Sequence, residues 1–303
     1  MNLRSILACT DFSTSTDAVL SRAALLACEH AAMLKLIYVP PANELPCPDA
    51  ACRLSHHALQ LTQRHGIRVR TVAHVANTLD DVARAAQGAD LVVTGTANER
   101  SLRAFAFGQP EMRLVRKARL PVLSVRGRSE AAYQRLLVAV DFSEASRNLT
   151  KAAFGFSKSG LVELFHAIGT ANDARLHDAE VSDRAIRAYR HECRRYAQER
   201  MFWLTDSTDA RRNRVYAAIS HGDPARQASA QQKQGGADLV VVGKRTTSGL
   251  SDFVFGSVAE RLLRLSSVDV LVVPHDLRQS PVREHGGEPQ ARRRVRAGSS
   301  PVG

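Results

Sequence analysis

Ala237-Asp238-Leu239-Val240-Val241-Val242-Gly243 decides the fold, because the chain has already written it once as Ala89-Asp90-Leu91-Val92-Val93-Thr94-Gly95. Each stretch is an Ala-Asp turn, a short aliphatic run and a glycine. A run of that length bounded by turn residues suits a strand buried on both faces of a parallel sheet. Thirteen residues beyond each glycine stands another, Gly256 and Gly108. The pairing also occurs at the start of each half, where Leu7-Ala8-Cys9-Thr10-Asp11-Phe12-Ser13 matches Val138-Ala139-Val140-Asp141-Phe142-Ser143. One α/β unit is present twice.

Working outward, aliphatic runs predict strands near 4–10, 34–39, 67–75, 90–94 and 121–125, and again near 135–140, 161–167, 213–220, 238–242 and 269–273. The segments between them carry helical spacing. Leu79, Val82, Ala83 and Ala86 fall at i, i+3, i+4 and i+7, as do Leu149, Ala152, Ala153 and Phe156. Ile186, Tyr189, Cys193 and Ala197 predict one face of a longer helix. Asp223-Pro224 reads as a cap followed by a proline at the first helical position. Alternating strands and helices predict an α/β chain of two tandem, doubly wound, five-stranded parallel-sheet domains. The expected bounds are 1–127 and 133–277, followed by a basic tail at 278–303. The offset from Gly95 to Gly243 is longer than the offset from Asp11 to Asp141. The second unit therefore holds an insertion between its first and fourth strands, and the charged segment 170–212 is the expected place. Strands 121–125 and 269–273 end their half-sheets with apolar edges that invite pairing, so the halves are expected to pack as an internal pseudo-dimer.

The totals set limits. A length of 303 residues suffices for two domains that each bury a core, and 44% hydrophobic with 24% charged residues is an ordinary globular composition. No apolar run approaches a membrane span, and the first residues enter a strand directly, so the expected location is cytoplasmic, with no membrane partner. The five cysteines contain no CxxC pair, which suits reduced thiols. Cys47, Cys52, His56 and His57 cluster without matching a metal-ligand pattern; a loop entering a helix is the better reading, and no metal ligands are assigned. Of the net charge of +12, +5 falls in 1–127, +3 in 128–277 and +4 in 278–303, around Arg292-Arg293-Arg294 and Arg296. That tail has no periodic apolar face and is read as disordered and solvated. The rest lacks the basic, aromatic-interleaved elements of nucleic-acid modules, so nucleic acid is expected only through the tail, if anywhere.

After Gly243 the chain runs Lys244-Arg245-Thr246-Thr247-Ser248-Gly249 and reaches Gly256-Ser257 ahead of a helix bearing Val258, Leu262 and Leu265. A strand, a Gly/Ser/Thr-rich loop and a helix N-terminus can hold an anion, since glycine admits a phosphate and early helix amides donate to it. A plain strand-to-helix turn is the competing reading.

These residues resemble the universal stress protein family. Its domains carry Gly, two residues, Gly, nine residues and Gly-Ser/Thr at this place, with Asp-x-Ser after the first strand. This chain has Gly243, two residues, Thr246, nine residues and Gly256-Ser257, together with Asp141-Phe142-Ser143. The resemblance spans about residues 3–275 as a tandem pair and implies a Rossmann-like, adenine-nucleotide-binding fold. It implies ATP or a related nucleotide in the second half, with Mg2+ as its companion. Ala139, Val140 and Asp141 would meet the adenosine, with Ala167 near the base. Val242 and Gly243 would border the ribose, and Gly256, Ser257 and Val258 would hold phosphates. Thr246 departs from the family's glycine, and either crowding or a hydroxyl contact is consistent with it. In the first half, Gly95, Asn98 and Gly108-Gln109 keep the spacing but lose the second glycine and the serine. Pro110 removes an amide donor and Glu99 adds negative charge, so no nucleotide is expected there.

No GxxxxGK[ST], GxGxxG after a strand, GxSxG or HExxH occurs. The signatures of adenylyl-transferring relatives with similar sheets are also missing. His74, His166 and His221 read as structural residues at strand ends, and no catalytic residue is assigned. The leading reading is a nucleotide-binding sensor or regulator in the stress response, with a homodimer or another protein as partner. Its alternatives are a nucleotide-free scaffold whose halves mimic a dimer, and a slow ATP hydrolase or nucleotide transferase.

Overall fold

The two Ala-Asp turns are clamps. In the computed structural model, which describes residues 1–41, 45–95, 109–127, 131–170, 176, 179–207, 215–244 and 258–275, the Asp90 carboxylate accepts from the Arg4 and Ser5 amides at 2.7 and 3.0 Å. Asp238 accepts from the Gln134 and Arg135 amides at 2.8 and 3.1 Å. An aspartate at the entry of each half's fourth strand therefore fixes the entry of its first strand beside it.

All ten expected strands are present. The first half runs β1 (Ser5–Thr10), α1 (Thr14–His30), β2 (Met33–Tyr38), α2 (Ala50–His65), β3 (Val69–Thr71), α3 (Leu79–Ala85), β4 (Leu91–Gly95), α4 (Pro110–Ala118) and β5 (Val122–Val125). The second runs β6 (Arg135–Ala139), α5 (Glu144–Phe156), β7 (Leu161–Ile168), α6 (Asp183–Ser207), β8 (Val215–His221), α7 (Pro224–Gly235), β9 (Leu239–Lys244), α8 (Val258–Leu265) and β10 (Asp269–Pro274). They form a single ten-stranded sheet in the order β3-β2-β1-β4-β5-β10-β9-β6-β7-β8. Pairing is parallel within each half and antiparallel only between β5 and β10.

Period-two alternation sends Ile6 and Ala8 to the layer under α1, α2 and α5, and Leu7 and Cys9 to the layer under α3, α4 and α8. Each apolar layer runs unbroken across the join, one through Leu123 and Leu271 and the other through Val122 and Val270. The two halves share both layers, because the β5–β10 pairing leaves no gap in the sheet. Leu271 lies opposite Leu123 there, and both are fully buried. The expected pairing of the two final strands is thus present.

Behind the join lies a polar lock. Asp269 accepts from Arg22 Nε at 3.1 Å, the Tyr133 hydroxyl at 2.6 Å and the Arg126 amide at 2.7 Å. Arg22 also donates to the Ala131 carbonyl at 2.8 Å and lies 3.8 Å over the Tyr133 ring. Burial, with the Asp269 charge beside it, raises the Tyr133 phenol well above its usual range, so it stays a neutral donor.

Leu34 of β2 pairs with Val69 of β3, while its twin Val162 of β7 pairs with Val215 of β8 across a longer span of chain. The insertion in the second half therefore lies between β7 and β8, where the 25-residue α6 replaces the 16-residue α2. Two expectations need correction. β3 covers three residues rather than the run 67–75, because its pairing with β2 spans only Val69–Thr71 against Leu34–Leu36, and Arg70 and Thr71 are exposed. On α6, Ile186, Ala197, Met201 and Leu204 are buried but Tyr189 is 36% exposed, because at 3.6 residues per turn it falls to the side of the stripe those four form.

Candidate functional site

β6 is flanked by β9 on one side and β7 on the other. From β6 the chain goes first to β7 and later returns to β9, so the order reverses between β6 and β9. In doubly wound sheets a crevice opens at that point, outside the carboxyl ends of the strands. Ala139 ends β6 and pairs with Val242 of β9, next to Gly243. Ala139 also pairs with Phe165 of β7, two residues before Ala167. Of the ten expected site residues, Ala139, Val140, Asp141, Ala167, Val242 and Gly243 are thus gathered along one sheet edge. Val258 opens α8. Thr246, Gly256 and Ser257 lie outside the described residues, as do Asn98, Glu99, Gly108 and the tail from 276 onward.

The loop after β6 is built by Asp141. Its Oδ1 accepts from the Ser143 amide at 3.0 Å, the Ser143 hydroxyl at 2.6 Å and the Ser146 hydroxyl at 2.8 Å. Burial opposes the charge, but these hydrogen bonds and nearby His275 outweigh it, holding the carboxyl below its usual range. The turn requires Phe142 at φ 60, and Phe12 repeats this at φ 63. Asp11 mirrors the cage with the Ser13 amide at 2.9 Å, the Ser13 hydroxyl at 2.6 Å and the Thr16 hydroxyl. His166 packs on Phe142 with ring centroids 4.0 Å apart, and its Nδ1 is 2.8 Å from the Val140 carbonyl. Burial lowers its pKa, consistent with the structural role expected of it. Arg200 of α6 reaches over to donate to the Phe142 carbonyl at 3.3 Å.

At the twin edge of the first half, Phe12 stacks with Tyr38 and with His57, ring centroids 4.6 and 5.8 Å away, and Arg53 lies 4.4 Å over its ring. An open recess of about 140 Å³ remains beside Arg53, His57 and Asp17. Cys52, His56 and His57 lie on α2, with Cys47 in the loop before it, as the loop-into-helix reading has it. Helix α4 begins with Pro110 after Gln109, whose side chain makes no capping bond. Glu111 in its first turn is buried, accepting from Ser124 at 3.2 Å. In the second half Val258 and Ala259 occupy the matching two positions. One helix start thus carries proline and a buried carboxylate; the other carries neither.

Two contributors escaped the sequence reading. Arg200 acts on Phe142 from far along the chain, on a different element. His275 stands just past β10, its amide donating to the Lys244 carbonyl at 2.9 Å and its ring against Gly243. No local pattern marks either one. Helix start signals did work elsewhere: Asp223 caps α7 by accepting from the Arg226 amide at 2.9 Å, with Pro224 at the first position. Among the described residues, no helix is long and apolar enough to cross a membrane.

A family model described as the universal stress protein family matches residues 2–126 and again 132–274. A universal stress protein of Mycolicibacterium smegmatis is 27% identical over 302 residues, covering 88% of this chain and 96% of its own length. Among solved structures, a universal stress protein of Archaeoglobus fulgidus is similar with a TM-score of 0.66 at 16% identity, covering 89% of this chain and 96% of that one. A functionally unknown protein of Pseudomonas aeruginosa gives 0.59 at 22% identity over 90% of this chain and 92% of its own. These two structures bear on the fold.

Proposed function

This chain belongs to the universal stress protein family, carrying its domain twice, and from that premise we propose that it binds ATP or a related adenine nucleotide in its second half and acts as a sensor or regulator in the stress response. The observation that carries the reading is the asymmetry of the two helix starts. In the second half the matching positions are Val258 and Ala259, which both keep a backbone amide and carry no charge, as a helix start that receives an anion requires. In the first half the same place has Pro110, which lacks an amide, and the buried Glu111 carboxylate.

The crevice residues fit such a ligand. Gly243 leaves the end of β9 without a side chain, Asp141 holds an ionised acceptor beside it, and Ala139 and Ala167 leave room along the edge. Gly256 and Ser257, with the amide of Val258, would hold the phosphates, where Mg2+ would add countercharge. We place the bounds of the halves at 1–127 and 133–277, and the protein in the cytoplasm. The role is regulatory rather than catalytic.

Mass spectrometry of the denatured, gently purified protein is expected to release an adenine nucleotide. In calorimetry, a bulky residue at Gly256 is expected to abolish ATP binding, while the same change at Gly108 leaves it intact. Equal loss from both, or no binding by the wild type, refutes the reading. The second outcome would favour a nucleotide-free scaffold, which has the continuous ten-stranded union of the halves in its support. Phosphate release from ATP faster than spontaneous hydrolysis would favour a slow hydrolase.

A further inference from the structure

Trp203 is the only tryptophan of the chain, and it stands 49% exposed on α6. Two arginines flank it. Arg147 of α5 lies 4.4 Å over its ring. Arg200, one turn earlier on α6, is 5.5 Å from the same ring and 5.9 Å from that of Tyr196, which is itself 56% exposed. Tyr189, Tyr196 and Trp203 follow one another at seven-residue intervals, so they share one flank of the helix, beside its buried stripe.

Neither Arg147 nor Arg200 pairs with a carboxylate among the described residues. Carboxylates are nevertheless close in sequence: Glu144 precedes Arg147 by three residues on α5, the spacing of a helical ion pair, and Glu199 adjoins Arg200. Arg195 does use its neighbours, binding Glu192 at 2.6 Å with Glu199 at 4.0 Å. Nε of Arg200 is buried without a hydrogen-bond partner, while another of its nitrogens donates to the Phe142 carbonyl. By the spacing of Asp11 to Asp141, the position in the first half that matches Arg147 is Asp17.

We propose that this flank of α6, with Arg147 of α5, is a docking surface for a protein segment that carries carboxylates beside apolar side chains. A guanidinium held over a ring still has its N–H donors to give, and a carboxylate can take two of them at once. The rings supply the apolar floor; tryptophan, tyrosine and arginine are the residue types that dominate binding energy at protein interfaces. Charge decides between occupants. A second copy docked across a two-fold axis would set the same arginines against each other, and the chain's own tail, with Arg292-Arg293-Arg294, is repelled likewise. A nucleic acid would carry its phosphates past the four carboxylates that α6 bears with its six arginines, Glu199 among them with 68% side-chain exposure. A short acidic segment meets only the two guanidinium groups and the rings. Nucleotide in the crevice is not required for it.

The test selects random peptides displayed on phage against the full-length protein. Enriched peptides are expected to carry aspartate or glutamate next to leucine, isoleucine or phenylalanine. A tryptophan-free synthetic copy of the strongest should shift the fluorescence of Trp203 in a saturable titration. Arg147→Glu should weaken that binding by about tenfold or more, the loss of a hydrogen-bonded contact between charged groups, and Arg147→Lys should weaken it less. Added salt should weaken it in the wild type. A dye-labelled copy read by anisotropy extends the comparison to Trp203→Ala, which should also lose about tenfold or more.

No enrichment, enrichment without an acidic bias, or affinity unchanged in both Arg147→Glu and Trp203→Ala overturns the surface. Tighter binding of single-stranded oligouridylate than of the peptide, lost in the same variants, overturns the protein partner in favour of nucleic acid.

Discussion

Asp11 and Asp141 each bend the chain through a left-handed phenylalanine, at φ 63 and 60, a conformation that non-glycine residues adopt at a cost. Their serine and threonine hydrogen bonds offset that cost, and the same bonds make the fold sensitive to acid. Burial works against both carboxylates, but the hydrogen bonds prevail and keep them below the ordinary range. Asp223 is also lowered, chiefly by its hydrogen bond from Arg261. Stability from such groups is complete above the unfolded value of about 4 and is lost as pH falls through the lower folded values. His30 and His166 act earlier. Burial holds both rings below their ordinary value, so the unfolded chain takes up protons first, from about pH 6.5 downward. The melting temperature is therefore expected to decline below about pH 6.5 and to fall again below about 4. His30→Gln/His166→Gln should make the first decline shallower. A melting temperature that rises toward pH 5 would contradict this account.

Helices α7 and α8 are tied by one side chain. Asp223 caps α7 and accepts two bonds from Arg261 of α8, at 2.5 and 2.7 Å. Asp223→Ala should lose about 1 kcal/mol for the cap and less than about 1 kcal/mol for a pair that is one-third exposed. Thermal denaturation should register a drop of a few degrees, and Asp223→Asn, which keeps a capping oxygen, a smaller one. That helix start was legible in the sequence because a cap is a local device. The strands were legible because aliphatic runs, Ala-Asp turns and glycines recur in order. Legibility ended where geometry rather than pattern decides. The alternation Ile67-Arg68-Val69-Arg70-Thr71 reads as a long strand, yet β2 pairs with only its last three residues. Tyr189 lies one turn from Ile186 but to the side of the stripe that Ile186, Ala197, Met201 and Leu204 form, and periodicity does not state how wide a buried stripe is. Gly243 was read as a glycine for a ligand, while the ring it accommodates arrives from just past the end of another strand, β10.

At the scale of the molecule, the shared apolar layers and the β5–β10 pairing make the halves one folding unit. Calorimetry should show a single unfolding transition, and either half expressed alone should expose β5 or β10 and self-associate. Arg22 and Asp269 seal the join while both are buried, with 5% and 6% side-chain exposure. Asp269→Ala leaves the guanidinium without its counterion and should cost about 3–5 kcal/mol, well beyond the effect of Asp223→Ala. Urea denaturation of the two variants measures the difference; a similar small loss in both would mean that the lock contributes little.

The Arg22–Asp269 contact has no twin. The positions that match them in the opposite halves are Ala152 and Pro121. In a two-fold homodimer every change is made twice, and a self-facing surface must tolerate both copies at once. Here the two partners are covalently consecutive, so each position mutates singly. An arginine can enter one side without an arginine entering the other. One ligand edge can lose its helix-start amide to proline while its counterpart keeps it, and one glycine can acquire a histidine neighbour while the other retains open space. Tandem linkage turns a symmetric pair into a heterodimer that needs no second gene and cannot dissociate, leaving one half free to specialise as long as the other holds the sheet together.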